Sequence, residues 1–367
     1  MNLDELRAAI SDLDARLIEL VARRQDLSEQ VAAVKRATGR PTRDFGRERE
    51  VILRVRTLAS QQGVSPDLAE SLLRRLIQSS LATQEQAGVA AQAYGSGKRA
   101  LVIGGRGKMG AWFTDFLASQ GFRVAVADPA GALAGFDYVP DWQQDTLDED
   151  VIVIATPLGA TPEILQALAR RAPRGLIFDL GSLKTPLRGG LAALAAAGCR
   201  VTSLHPMFGP DTQLLSGRHV IFIDLGSAEA LSEAQALFAP TMAERVVMSL
   251  DEHDRLIAYV LGLSHALNIA FFTALADSGE AAPRLARLSS TTFDAQLDVA
   301  SRVAAESPEL YFEIQHLNDY GGESLQALRH AVDRLVTAVG SGDAAAFSEM
   351  MSRGRAYLDV RAAALAR

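Results

Sequence analysis

Residues 100–117, ALVIGGRGKMGAWFTDFL, pass from a short apolar run through a glycine-rich turn into an amphipathic segment. The run is strand-length, and Gly105, Gly107 and Gly110 stand in G-x-G-x-x-G spacing. The next apolar run, RVAVAD, ends at Asp128, about 20 residues further on. A strand, a glycine turn and a helix in that order present backbone N–H groups to a pyrophosphate, and the later acid meets ribose hydroxyls. The glycine spacing alone is a weak signal; the flanking strand, helix and acid make it a dinucleotide site. Asp128 would repel a 2′-phosphate, so NAD is expected rather than NADP, with Arg106 the basic residue in the turn. The expected cofactor set is Gly105, Arg106, Gly107, Met109, Gly110 and Asp128.

Outward from this stretch, residues 99–250 alternate short apolar runs with helical segments. DVIVIAT, GLIFDLGS, CRVTSLH and HVIFID are expected to follow RALVIGG and RVAVAD as strands. Such alternation implies a doubly wound parallel sheet. Ligands collect at the carboxyl ends of such strands. There DLGSLK places Ser182 and Lys184, and LHPMFGPD places His205. A lone histidine is more often structural, but a neutral imidazole at this end could take the proton of an alcohol as hydride leaves its carbon.

Residues 1–88 read as all helix, 89–98 as a small, polar, glycine-bearing linker, and 251–367 as helical again. Asn2 with Glu5 forms a capping box, and Ser65 followed by Pro66 opens a third helix. In the first helix Leu3, Leu6, Ile10, Leu13, Leu17, Leu20, Arg24, Leu27, Val31 and Val34 keep an unbroken 3–4 spacing, the seam of a packed helix. Arg24 is its one charged member, and a guanidinium in a seam is costly without an anion to pair with it. Lys35 is about three turns further on, near the same face. Arg47 shares a face with Val51, Val55 and Leu58, and Ser80 and Gln84 extend the stripe of Leu73, Leu76 and Ile77. An intrachain ion pair with Asp44 or Glu48 would account for one arginine. A small polyanionic ligand accounts for the whole set. A helix of about 36 residues spans roughly 54 Å, more than two shorter helices can cover, so a partner chain is expected along it.

Composition narrows the function. The 367 residues carry a net charge of −7, which argues against a nucleic-acid or general membrane-surface binder. MNLDELRAAI lacks the features of a signal peptide, and no uninterrupted run of 18 apolar residues occurs, so a cytoplasmic protein is expected. Cys199 is the single cysteine, and no metal site is expected.

The helical block resembles the all-helical class of chorismate mutases through LRAAISDLDARLIELVARRQDL, VKRATGRPTRDFGRERE and SSLATQ. The resemblance implies that Arg7, Arg24, Lys35, Asp44, Arg47, Glu48, Ser80 and Gln84 bind chorismate. Lys35 and Gln84 would act on the ether oxygen. It also implies an interlocked homodimer, with Arg7 reaching the partner's site. Residues 99–367 resemble prephenate dehydrogenases through VIGGRGKMG, DLGSLK, LHPMFGPD, EHDRL, LSHAL and SRVAAESPELY. That resemblance implies His205 as the catalytic hydrogen-bond acceptor, supported by Ser182. It further implies His265, Arg302, Lys184 and His253 as substrate-binding residues. Mutase followed by dehydrogenase is the order of the bifunctional enzymes of tyrosine biosynthesis, so the expected fold is an all-α mutase-like domain, a Rossmann-type α/β domain and an all-α C-terminal domain. Two rival expectations are a helical block that only dimerises, and a non-catalytic NAD-binding sensor.

Overall fold

The computed structural model describes residues 1–280 and 282–365. The chain divides into two compact units, Met1–Ser182 with Leu187–Leu250, and Leu183–Pro186 with Asp251–Arg367.

The first unit opens with three helices, α1 (Leu3–Ala37), α2 (Phe45–Gln61) and α3 (Pro66–Gln92). Their starts are written in the sequence. The Asn2 side chain accepts the Glu5 N–H while Glu5 accepts that of Asn2, each at 2.9 Å. Asp44 caps α2 by accepting the Arg47 N–H at 2.9 Å, and Ser65 caps α3 with Pro66 behind it. α3 runs through Gln92, so the first part of the stretch read as linker is helical. Its alanines are the strongest helix formers, and small residues alone do not end a helix.

A six-stranded parallel sheet follows in the order β3 (Asp137–Tyr138), β2 (Arg123–Ala127), β1 (Arg99–Ile103), β4 (Val151–Ile154), β5 (Leu176–Asp179) and β6 (Arg200–Val201). It is wound with α4 (Lys108–Ser119), α5 (Thr161–Arg171) and α6 (Arg188–Ala196). Side chains alternate across it: Ala100, Val102, Val151, Val153, Leu176 and Phe178 join one buried cluster, and Leu101, Ile103, Ile152, Ile154 and Ile177 the other. Both faces are covered, which is why these strands read as continuous apolar runs.

CRVTSLH is two strands rather than one. The chain leaves β6 at Thr202, whose N–H still reaches Ile177 O at 3.1 Å while its hydroxyl donates to Ile223 O at 2.9 Å. It then enters β7 (Ser203–Pro206) of a second sheet, where β7 is antiparallel to β8 (His219–Ile223) and β8 is parallel to β9 (Glu244–Met248). Thr202 hydrogen-bonds to both sheets, a two-sided pairing that apolar content does not reveal. α7 (Ala228–Leu237) connects β8 to β9.

The second unit is helical. Its leading run joins α8 (Leu250–Ile257) through a π turn, Ala258–Leu263, to α9 (Ser264–Asp277). By length and composition this run could cross a membrane, with mean hydropathy 1.6 over eighteen residues. It also carries fully buried His253 and Asp254 and packs on other helices of its unit, but only 28% of that apolar window is buried, with Leu256, Tyr259, Val260 and Leu267 46–54% exposed. The unit is completed by α10 (Ala282–Ala286), α11 (Thr291–Ala304), α12 (Pro308–His316), α13 (Gly321–Ser341) and α14 (Ala344–Leu365).

Candidate active sites

The helical block brings three of its expected residues together. Arg24 donates through Nη1 to Ser80 Oγ at 2.5 Å and to Leu76 O at 2.8 Å, and Ser80 donates to Gln25 Oε1 at 3.1 Å. Gln84 donates through Nε2 to Ser28 Oγ at 2.7 Å. Gln84 is 7% exposed, and its Oε1 is buried with no hydrogen-bond partner. Burial pulls the Arg24 guanidinium below the ordinary arginine value. A cation, a hydroxyl and an unsatisfied amide oxygen within a helical core are what an absent polar ligand would leave behind.

The remaining five expected residues make their hydrogen bonds and ion pairs outside this cluster. Lys35 donates to Thr42 O at 2.6 Å, Arg47 pairs with Glu50 at 2.9 Å on the surface, and Glu48 is held by Arg43 through both oxygens at 2.9 Å. Asp44 is spent on capping α2, and Arg7, largely exposed, faces Asp4 at 3.7 Å. Around Arg7, Leu3, Ile10, Leu13 and Ile18 are 59–67% exposed.

The glycine turn has the geometry a dinucleotide needs. Gly104 holds φ at +86°, and a Cβ on Gly110 would lie 2.1 Å from Gly104 O, so α4 can approach β1 only with glycine there. Gly107 caps α4 without a side chain, and no acid stands in the first turn, leaving the helix N-terminus to an anion. Asp128 follows β2 and accepts the N–H groups of Arg106 at 3.0 Å and Ala130 at 2.8 Å. The Arg106 guanidinium is tied to Ala130 O. Met109 is half-buried against the core behind this turn. These residues fit a nicotinamide dinucleotide.

At the far ends of the strands, Ser182 is half-buried after β5, in a turn where Gly181 N–H meets Asp179 Oδ1 at 2.8 Å. His205 lies within β7, 5% exposed and opposite Ile221. It therefore belongs to the second sheet, a placement the single-strand reading of CRVTSLH missed.

In the second unit Asp254 is the organising group. Its carboxylate takes the Lys184 N–H at 2.9 Å, the Thr185 N–H and hydroxyl at 2.5 Å each, and His253 Nδ1 at 2.6 Å. Burial would raise this carboxyl, but the His253, Thr185 and Lys184 donors outweigh it and hold Asp254 below the usual range. Lys184 and His253 are both fully buried. His265 packs against Tyr311 with ring centres 4.2 Å apart; its Nδ1 is buried without a partner, and desolvation lowers its pKa to about 4. Arg302, on α11, is exposed.

Three family descriptions match the chain in order: chorismate mutase type II over residues 6–85, the nucleotide-binding domain of prephenate dehydrogenase over 126–247, and its dimerization domain over 249–353. The T-protein of Enterobacter agglomerans is 28% identical over 356 residues, covering 96% of this chain and 92% of that protein. The chain belongs to the bifunctional chorismate mutase/prephenate dehydrogenase family. A 4-amino-4-deoxyprephenate dehydrogenase of Streptomyces pristinaespiralis is 30% identical over 280 residues, covering 73% of this chain and 94% of that one. The fold of the dehydrogenase part is that of a prephenate dehydrogenase from A. aeolicus, solved with hydroxyphenyl propionate and NAD+. The match has a TM-score of 0.56 at 18% identity, over 72% of this chain and 98% of that one.

Within this bifunctional family member, sequence reasoning passed over four residues that hold the sites. Ser28 and Gln25 lie on α1 one turn from and beside Arg24, a spacing that could have found them. Asp254 follows His253 in EHDRL, and Arg43 lies within the charged stretch RPTRDFGRERE with Glu48 five residues on. Both read as surface charge until their partners are seen.

Proposed function

We propose that the two activities of this enzyme divide between residues as follows. Chorismate is rearranged to prephenate against Arg24, Ser80 and Gln84, with Lys35, Arg47, Glu48 and Asp44 completing the pocket and Arg7 supplied by a second copy. The observation that carries this assignment is the buried, unpartnered Oε1 of Gln84, one turn along α3 from the Ser80 that Arg24 holds. Turning the Gln84 amide over keeps the Ser28 bond, with the hydroxyl now donating, and places Nε2 where Oε1 lies. That N–H, with Lys35, would donate to the ether oxygen as charge develops on it. The arginines anchor carboxylates, for which a planar fork is suited. The reaction is unimolecular, so holding the folded conformer is most of the catalysis.

Prephenate is then oxidised and decarboxylated to 4-hydroxyphenylpyruvate. Bound NAD supplies the hydride acceptor. Gly105, Arg106, Gly107, Met109, Gly110 and Asp128 hold the dinucleotide. His205 accepts the proton of the ring hydroxyl whose carbon loses hydride, and Ser182 orients it. Arg302 receives a carboxylate, while His265, His253 and Lys184 shape the substrate site. Loss of the ring carboxylate as carbon dioxide leaves an aromatic ring. A homodimer is supported by the uncovered seam of α1 and by exposed Val332, Leu335, Val336 and Val339 on α13. The test is purified protein with chorismate and NAD: NADH should accumulate without added prephenate. NADH from prephenate but none from chorismate would refute the mutase assignment.

A further inference from the structure

Glu85 follows Gln84 on α3 and carries a buried carboxylate that neither reaction uses. It is 4% exposed; Oε2 accepts the Leu215 N–H at 2.7 Å and Oε1 accepts that of Met242. Leu215 precedes β8 and Met242 precedes β9, so both donors come from the dinucleotide-binding part of the chain. Burial pushes this carboxyl above the usual range against the pull of the two N–H groups. A desolvated carboxylate held by two main-chain donors is tolerated only while both bonds stay well made. It therefore fixes α3 against two loops at once.

The residue after Leu215 makes a second grip. Ser216 Oγ accepts from Arg43 Nη1 at 2.6 Å, while Arg43 Nε and Nη2 hold both oxygens of Glu48. One dipeptide thus touches the neighbour of Gln84 on one side and the clamp on Glu48 on the other. We propose that Leu215 and Ser216, through Glu85 and Arg43, position the mutase pocket, so that the dehydrogenase part of the chain sets the mutase geometry. Glu85 and Arg43 are positioning residues acting through Gln84 and Glu48. The inference rests on the assignment of those two residues to chorismate.

The test uses the full chain with Glu85→Gln, which replaces one acceptor by an amide NH2 facing an N–H. Displacing Gln84 by a fraction of an ångström to an ångström is expected to lower mutase kcat about 10- to 100-fold. The chorismate KM, set by the arginine anchors, should stay within about two-fold, and so should dehydrogenase turnover of prephenate. In a Gln84→Ala background, Glu85→Gln should cost less than about two-fold more, since the group it positions is gone. The same fold-loss in both backgrounds, or a proportional loss of both activities with a lowered Tm, would overturn the proposal and leave Glu85 a tether. A Gln84→Ala enzyme with wild-type kcat would overturn the pocket assignment, and the proposal with it. Should Glu85→Gln not fold, Ser216→Ala removes only a half-buried hydroxyl. It is expected to raise the chorismate KM about three-fold through Glu48 with the dehydrogenase unaffected, and an unchanged KM would overturn the proposal.

Discussion

Replacing Arg24 by leucine should remove mutase activity while leaving the fold about as stable as before. On the cost side are the two hydrogen bonds from Nη1, to Ser80 Oγ and Leu76 O, together about 3 kcal/mol for a partly exposed charged donor. Against this, a half-covered leucine in the seam returns about 1–2 kcal/mol of apolar burial. The charge whose desolvation holds Arg24 below the ordinary arginine value also disappears. Ser80 keeps its bond to Gln25 Oε1. The net change in stability should lie within about 1 kcal/mol of zero. Catalysis has no such offset: truncating one partner of a desolvated charge pair costs about 2–5 kcal/mol, or roughly 30- to 5,000-fold in kcat/KM. Chorismate disappearance, NADH formation from added prephenate, and urea unfolding followed by circular dichroism give the three readouts. A mutase rate within a few-fold of wild type would refute the reading of the seam. So would a loss of more than about 3 kcal/mol, which would make Arg24 structural.

Asp128→Ser should weaken NAD and narrow its advantage over NADP, since the carboxylate that meets ribose hydroxyls and repels a 2′-phosphate is gone; unchanged cofactor KM values would refute the assignment. His205→Asn should slow prephenate oxidation about 10²- to 10⁴-fold and abolish the acidic limb of its pH–rate profile, whereas Arg302→Ala should mainly raise the prephenate KM. An acidic limb that survives in a working His205→Asn enzyme places the base elsewhere. His265 would not be the source of such a limb at pH 5–8, because its pKa of about 4 leaves its charge unchanged across that range. Its effect is on stability. Between about 4 and the ordinary 6.5 the unfolded chain binds a proton that the folded chain does not, so stability falls as pH drops through this window. The loss should be about 2 kcal/mol after discounting for partial exposure, and a His265→Asn variant should lose that much less between pH 7.5 and 4.5. Parallel Tm curves for the two proteins would refute it.

Much of this architecture is legible from residues whose signals are local. The caps at Asn2 and Ser65, the glycine turn and strands such as β1 each depend on neighbours in sequence, and each forms as read. Arg24 is legible because it breaks a periodic pattern. What escapes reading depends on partners far along the chain. Glu85 looks like any helical glutamate until Leu215 and Met242, 130 and 157 residues away, close on it. Lys184 reads as a strand-end cation, yet it is wholly buried with its N–H on Asp254, 70 residues on. β9 escapes as well: ERVVM is short and mostly exposed or half-covered, with no alternation to mark it. The switch of sheets at Thr202 likewise depends on Ile223, 21 residues on, whose carbonyl takes the Thr202 hydroxyl.

The π turn at Ala258–Leu263 has a consequence for aim. Closing i→i+5 rather than i→i+4 takes up about one extra residue. At 100° per residue, His253 and His265, twelve apart, would lie about 120° from each other around a regular α-helix. With one residue absorbed they are eleven apart in phase, and the angle closes to about 20°. Gly262 O, loosened from the regular ladder, is taken up by Gln315 Nε2 at 2.8 Å. The turn thus works as a phase shifter: it keeps His265 within about 20° of His253 although twelve residues separate them, and deleting one residue from it would give a regular helix with that same angle.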